Sequence, residues 1–186
     1  MEACRAREDD TSFDGLSRSR GYMRFPILRI MLTTRLATVS DAVLITAHRK
    51  AMFAEMGNGT ESALEEMSRN FEPWVKRMME AEKYVGWVVE DRDRPIASAG
   101  FFELEWPPHQ LDPAACHRGY LLNFFVEPKY RRLGLAHSLV KESLTEARRR
   151  GLHIVALHAS EAGSPVYESM GFRTTNEMFY VDAIEN

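Results

Sequence analysis

The sequence has few cysteines, no long apolar run and no excess of basic residues. Its 186 residues include two cysteines, Cys4 and Cys116, which are too few for a disulfide framework or a Cys-x-x-Cys metal motif. A reducing, cytoplasmic environment is therefore expected. No stretch reaches the roughly 18 apolar residues of a membrane-spanning helix. The net charge of −3 argues against nucleic-acid binding, which usually needs a basic surface.

The N-terminal segment also has few large apolar side chains. Charges of both signs are spread over residues 1–22, and such a stretch cannot bury enough apolar surface to order itself. Its acidic residues argue against a transit peptide, and Arg29 interrupts the apolar stretch 25–32, which argues against a signal peptide. We therefore expect residues 1–22 to be a disordered or non-native extension without a catalytic role. Residues 25–32 could add an edge strand, and residues 31–186 should form the folded domain.

The rest of the chain alternates between helix and strand patterns over a length suited to one α/β domain. Strands are predicted at 33–37, 84–90, 96–104, 120–126, 152–158 and 178–182, and helices at 41–56, 61–82, 134–150 and 164–170. Ser40 should cap the first helix, and Pro73 should divide the second because proline lacks an N–H group. A helical crossover joins strands 120–126 and 152–158, so these two should run parallel.

The most informative segment is the turn that leads from strand 120–126 into helix 134–150. Its basic residues and one glycine, from Arg131 to Ala136, would present free backbone N–H groups at a helix N-terminus, which suits a phosphate or pyrophosphate. Gly134 would let such a ligand approach the backbone closely. An ordinary connection with two solvated arginines explains the local pattern equally well.

Two motifs, in this order along the chain, resemble the GNAT superfamily of acyl-CoA-dependent N-acetyltransferases. The motif Arg131-x-x-Gly134-x-Ala136 is similar to the family's pyrophosphate loop. The segment from Ser164 to Phe172 is similar to its late helix, which ends in Gly-Phe. The resemblance implies a GNAT-like mixed, mostly antiparallel central sheet with helices on both faces. It also implies that the parallel strand pair splays apart and opens a slot for the cofactor.

The resemblance further implies that acetyl-CoA is the acyl donor. Backbone N–H groups of the turn would face its pyrophosphate, and backbone groups near Phe125 and Val126 would pair with the pantetheine arm and stabilise the oxyanion. Many family members carry an asparagine after the fifth strand, where this chain has the stretch 159–163, so Ser160 is the expected substitute. The implied cofactor-binding residues are Phe125, Val126, Arg131, Arg132, Leu133, Gly134, Leu135, Ala136 and Ser160.

Tyr167 is the candidate general acid, because it matches the family position that often protonates the leaving thiolate. A phenol with a reference pKa of about 10 is protonated at neutral pH and can protonate a thiolate with a reference pKa of about 8.5. The alternative is a tyrosine packed under the sheet with its hydroxyl satisfied.

Glu103 is the candidate base, because the resemblance places the amine-binding cleft just after this strand end, where a carboxylate could attract a cationic amine and relay its proton through water. Glu103 and Glu105 are separated by one residue at a strand end, so both can point to one face. Either of them alone is more often a solvated acid, and His158 and Glu127 are further options for the base.

His48, Glu105 and Asn123 are the candidate residues for binding the amine substrate. The first helix, which carries His48 and Arg49, often borders this site in the family. Asn123 interrupts an apolar strand, and a buried amide needs partners, so it either binds substrate or braces a strand irregularity. The histidines show no metal-ligand spacing, and no metal is expected.

The sequence thus predicts an enzyme that transfers an acetyl group from acetyl-CoA to a primary amine of a small molecule, by direct attack in a ternary complex. Two alternatives stay open, namely a non-catalytic acyl-CoA-binding or sensor domain of the same fold, and an acetyltransferase of protein N-termini or lysines. The presence of Tyr167 favours the enzyme. Small-molecule amines are the expected partners, nucleic acids and membranes are not, and a homodimer is left open.

Overall fold

A five-stranded sheet forms the centre of the computed structural model, which describes residues 30–57 and 59–175. The strands follow one another across the sheet in chain order. They are β1 Leu32–Leu36, β2 Tyr84–Asp91, β3 Arg94–Glu105, β4 His117–Val126 and β5 Val155–Leu157. Neighbouring strands from β1 to β4 are antiparallel, whereas β4 and β5 are parallel. The predicted mixed, mostly antiparallel sheet and its parallel strand pair are therefore confirmed.

Helices cover both faces of this sheet. They are α1 Ala42–Glu55, α2 Glu61–Glu80, α3 Leu135–Arg149 and α4 Ser164–Ser169, with short 3-10 turns at Val39–Asp41 and Pro128–Tyr130. Side chains alternate along a strand, so Phe101 and Phe102 of β3 point to opposite faces. Phe101 packs into the core that α3 covers, and Phe102 packs against the core that α1 and α2 build. No helix in the described part of the chain is long and apolar enough to cross a membrane.

Pro73 does not divide the second helix, so that prediction was wrong. α2 runs from Glu61 to Glu80 with Pro73 inside it. Proline removes one backbone hydrogen bond, but Phe71 and Val75 on its two sides are buried in the same core. Packing of these side chains outweighs the lost bond, because tertiary contacts supply most of the stability of a protein helix.

The ends of other elements also differ from the prediction. The first helical segment begins with a 3-10 turn whose N-cap position is Thr38 rather than Ser40, and the Asp41 carboxylate accepts a hydrogen bond from the Thr38 N–H at 2.7 Å. β5 is shorter than the predicted strand 152–158. The predicted strand 178–182 and the extension 1–22 lie outside the described residues.

β4 and β5 are paired over a short stretch only. Their register aligns residues 119–121 with residues 155–157. β4 then continues to Val126, so its edge from 122 to 126 has no neighbouring strand on that side within the described residues. We call this segment the open edge of β4. It lies where the resemblance placed the cofactor slot.

A bulge in β4 lies at the start of the open edge. Between two paired positions, β3 has one residue, Ala99, where β4 has two, Asn123 and Phe124. Asn123 has a φ angle of 57°, in the left-handed region that asparagine tolerates better than most residues. Bulges redirect the neighbouring backbone and side chains, and they are common beside active sites.

Candidate active site

The turn between β4 and α3 carries a run of free backbone donors. None of the N–H groups from Arg132 to His137 has a hydrogen-bond acceptor among the described residues, and the first bond of the helix runs from Ser138 N–H to Gly134 carbonyl at 3.0 Å. Gly134 has a φ angle of 79°, and a Cβ atom placed on it would meet no heavy atom within 4 Å. Open space, free donors and the dipole of α3 together favour an anion at this turn.

The two arginines of the turn differ in their surroundings. Arg131 Nε donates to the Val126 carbonyl at 2.9 Å, and the guanidinium forms an ion pair with Glu55 of α1. Arg131 therefore attaches the turn to both β4 and α1. Arg132 is exposed and has a φ angle of 62°, so its side chain stands at the rim of the turn.

The apolar residues of the predicted cofactor site offer backbone groups rather than side chains. Leu135 and Phe125 are buried, Ala136 and Val126 are half-buried, and Leu133 is exposed. The side chains of Leu135 and Val126 pack in the core under α3. The main chain of Leu135 and Val126, rather than their side chains, is therefore available to a ligand beside β4.

Tyr167 lies on α4, beside the open edge of β4. Its ring makes edge-on contacts with Phe124 and Phe172, at centroid distances of 5.9 and 5.8 Å. Burial raises the pKa of Tyr167 to about 12, so the phenol is protonated at neutral pH. The hydroxyl has no hydrogen-bond partner within residues 30–57 and 59–175, which leaves its proton available for donation.

Ser160 precedes α4 and supports the turn into that helix. Its Oγ accepts a hydrogen bond from Gly163 N–H at 3.1 Å, and its carbonyl accepts one from Ser164 N–H at 2.9 Å. Because Oγ is the acceptor in the first contact, its own hydrogen can still be donated to a ligand. The cofactor contact of Ser160 stays a prediction.

Asn123 is buried, and both ends of its amide are hydrogen-bonded. Oδ1 accepts from Arg49 Nη1 at 2.6 Å, and Nδ2 donates to the Tyr84 hydroxyl at 3.2 Å. Burial raises the pKa of Tyr84 to about 12, so this phenol is neutral. The network connects the bulge to α1 and β2 and gives a physical basis for a bracing role. A contact of Asn123 with substrate stays a prediction.

His48 is buried on α1 and connects this helix to β3. Its Nδ1 lies 2.8 Å from Ser98 Oγ, and its ring centroid lies 4.7 Å from that of Phe125. Burial lowers the pKa of His48, although Glu127 opposes this effect, so the ring is uncharged at neutral pH. Binding of the amine substrate by His48 stays a prediction.

The two strand-end acids lie away from the bulge. Glu103 is opposite Gly119, and Asn123 is four residues further along β4, which is roughly 13 Å at about 3.3 Å per residue. Glu103 accepts a hydrogen bond from Arg150 at 2.7 Å. Glu105 is exposed and lines a shallow depression of about 290 Å³ together with Trp106, Pro107, Pro108 and Cys116. Their roles as base and as amine-binding residue stay predictions.

Sequence reasoning missed two tyrosines and did not single out Arg49 beside His48. Tyr84 begins β2, and Tyr120 lies on β4, where its hydroxyl contacts His158 Nδ1 just beyond β5. The strand patterns predict burial of both rings. They do not show that polar ends from different elements meet near one bulge, because that depends on the register of the strands.

Comparison with known families agrees with this geometry. The family model described as an acetyltransferase (GNAT) domain matches residues 51–186. The chain therefore belongs to the GNAT acetyltransferases, a family of enzymes that use acetyl-CoA. The predicted family, fold class and enzyme class are confirmed.

Three similar proteins show how far the likeness extends. A GCN5-related N-acetyltransferase from Ralstonia eutropha is 35% identical with a TM-score of 0.78, covering 82% of this chain and 99% of that one. The structure of an acetyltransferase from Clostridium acetobutylicum, determined with acetyl-CoA, is 26% identical with a TM-score of 0.75. This match covers 82% of this chain and 96% of that one. Glucosamine 6-phosphate N-acetyltransferase from Trypanosoma brucei brucei is 33% identical over 64 residues, which are 34% of this chain and 44% of that protein. The chain spans less than half the length of the curated relatives it matches.

Proposed function

We propose that this protein transfers the acetyl group of acetyl-CoA to a primary amine of a small molecule, by direct attack of the amine in a ternary complex. The main support is the run of free N–H groups from Arg132 to His137, next to the open edge of β4. The Clostridium structure, which contains acetyl-CoA, supports the choice of donor. The name of the trypanosome relative supports an amine on a small molecule.

Backbone groups would bind the donor. The pyrophosphate would lie over the N–H groups of residues 133–136, where Gly134 leaves room, with Arg131 and Arg132 at the rim. The pantetheine arm would run along the open edge beside Phe125 and Val126 like an added strand. Ser160 would contribute its hydroxyl proton to the same ligand.

Tyr167 is proposed as the general acid. The amine nitrogen forms a bond to the thioester carbon, and the bond between that carbon and sulfur breaks. Tyr167 donates its phenolic proton to the departing thiolate, which leaves as a thiol, and solvent then reprotonates the phenolate. The raised pKa of Tyr167 keeps this proton in place before each turnover. A backbone N–H beside the bulge would stabilise the oxyanion.

A base must also take the proton that the amine loses. Glu103 is the proposed base, and it would act through ordered water, because its carboxylate pairs with Arg150 at the other end of β4 from the bulge. His158 is a second candidate. It follows β5 where the gap beside β4 begins, and its ring contacts the Tyr120 hydroxyl.

Incubation with acetyl-CoA and a panel of primary amines, with thiol release as the readout, tests the proposed function. Release that requires a small amine supports it. Binding of acetyl-CoA without release, whichever amine is added, supports the sensor domain instead. Release with peptides or proteins alone supports a protein acetyltransferase.

A further inference from the structure

Arg49 is a half-buried cation next to the bulge of β4. Its guanidinium carbon lies 4.8 Å from the ring centroid of Phe53 and 4.7 Å from that of Phe71. Nη1 donates to Asn123 at 2.6 Å, and Nε points to the sulfur of Met67 at 3.2 Å. These contacts from three elements fix the position and direction of the guanidinium.

All of these partners are neutral. Within the described ranges no carboxylate forms an ion pair with Arg49. The charged forms of nearby side chains that would raise its pKa are those of the Tyr84 and Tyr120 phenols. Burial lowers the pKa of Arg49, but a guanidinium stays protonated at any physiological pH. A partly desolvated charge without a counter-charge is unfavourable, so an anion at this position would be stabilised.

The guanidinium also keeps unused donors. Nε and one N–H of Nη1 are engaged, whereas Nη2 of Arg49 has no partner among the residues the structure describes. The planar fork of an arginine matches the oxygens of a carboxylate or a phosphate. Arg49 is therefore fixed by aromatic contacts and still able to bind an anion.

Arg49 and Tyr167 approach the bulge from opposite faces of the sheet. Tyr167 packs with Phe124 on the side that α3 covers, whereas Arg49 reaches Asn123 from α1. In the proposed reaction the thioester lies at the open edge between them. An amine that attacks from the face opposite Tyr167 would bring its other substituents toward Arg49.

We propose that Arg49 binds an anionic group, a carboxylate or a phosphate, on the amine substrate. The inference rests on the proposed function and adds the class of substrate, namely amines that also carry a negative charge. A residue that only braced Asn123 would be indifferent to the charge of the substrate.

Wild-type kinetics with matched amines test this inference without any variant. One pair is an amino sugar phosphate and the unphosphorylated amino sugar, and the other is an amino acid and its amide. In one of the two pairs, the charged member should have a KM lower by roughly 10- to 100-fold, as expected for a charge-assisted contact. The pair that shows this difference identifies the anionic group as phosphate or carboxylate. Equal KM values within both pairs overturn the inference while leaving the acetyl transfer established. No transfer to any amine overturns the proposed function as well.

Substitution of Arg49 separates substrate binding from bracing. Arg49→Met removes the charge but keeps a long side chain between the two rings, so KM for the charged amine should rise roughly 10- to 100-fold. KM for its neutral partner and the affinity for acetyl-CoA should change little. Arg77→Met, at an exposed arginine of α2, is the matched control and should leave all three unchanged.

An equal loss with charged and neutral amines would show bracing alone and overturn the inference. If Arg49→Met does not fold, Arg49→Lys should retain a weaker preference for the charged amine, and loss of that preference would also overturn it.

Discussion

At the scale of single residues, Tyr167 makes the most specific chemical prediction. Tyr167→Phe removes one oxygen and leaves the contacts with Phe124 and Phe172 intact, so the fold and the affinity for acetyl-CoA should be unchanged. Loss of a general acid should lower kcat by roughly 10²-fold. Steady-state kinetics of thiol release check this, and a variant with wild-type kcat would leave solvent as the proton source.

The pH dependence of the same group follows from its raised pKa. Tyr167 acts in its protonated form, and burial raises its pKa to about 12. Its contribution to kcat should therefore persist at lower pH and fall only as the pH rises through that value. No basic limb due to Tyr167 is expected near pH 10, where an ordinary phenol titrates. A basic limb near pH 10 in the pH profile of wild-type kcat, absent from Tyr167→Phe, would contradict a pKa of Tyr167 that is raised by burial.

The base can be identified by comparing Glu103→Gln with His158→Gln. The variant that removes the base should lose the acidic limb of the pH profile of kcat/KM, because that limb reports protonation of the base in the free enzyme. Glu142→Gln, at an exposed acid of α3 outside the proposed site, is the control. An unchanged profile in Glu103→Gln would exclude Glu103, and a change in His158→Gln alone would assign the role to His158.

At the scale of elements, the bulge of β4 depends on Asn123 in two separable ways. Asn123→Ala loses two buried hydrogen bonds and places alanine in the left-handed region, so the free energy of unfolding should fall by about 2 kcal/mol or more. Asn123→Gly loses the same bonds without the conformational cost, and should be about 1 kcal/mol more stable than Asn123→Ala. Urea denaturation measures both, and equal stability of wild type and Asn123→Ala would show that the network does not brace the bulge.

The turn before α3 should respond to added bulk more than to loss of charge. Gly134→Val places a branched side chain in the space that the pyrophosphate needs and at a φ angle of 79°, so the affinity for acetyl-CoA should fall strongly. Gly134→Ala has a smaller backbone cost and less bulk, because alanine is not β-branched, and should weaken binding less. Arg131→Ala should weaken binding only modestly, because Arg131 is already engaged with Glu55 and Val126. Calorimetry on the three variants checks this order, and unchanged affinity in Gly134→Val would contradict the site.

At the scale of the whole molecule, the sequence predicted the architecture because it depends on periodic patterns. The apolar stripe of α3 has the spacing of a helix, and the nearly continuous apolar run of β4 is typical of a buried strand. The helix between β4 and β5 favours a parallel pair. Pro73 was misjudged because a local rule was applied where burial of Phe71 and Val75 decides. Such packing becomes visible only when the helix is placed on the sheet.

The site was predictable where it is local in sequence and unpredictable where it is assembled from distant segments. The turn from Arg131 to Ala136 is one continuous motif, and its free donors follow from its position before a helix. The pairing of Glu103 with Arg150 and the network around Asn123 join residues far apart in the chain, so no local pattern indicates them. The cytoplasmic location stays a prediction, and a homodimer stays open.

The central claim, acetyl transfer from CoA to a small amine, is tested most directly by following an isotope-labelled acetyl group. The protein is incubated with labelled acetyl-CoA and the panel of amines, and mass spectrometry locates the label while free thiol is measured in the same sample. We expect the label on the nitrogen of a small amine, in equal amount to the thiol released and only when the protein is present. Label on a peptide or on the protein itself, or acetyl-CoA that binds without releasing any thiol, would contradict the account.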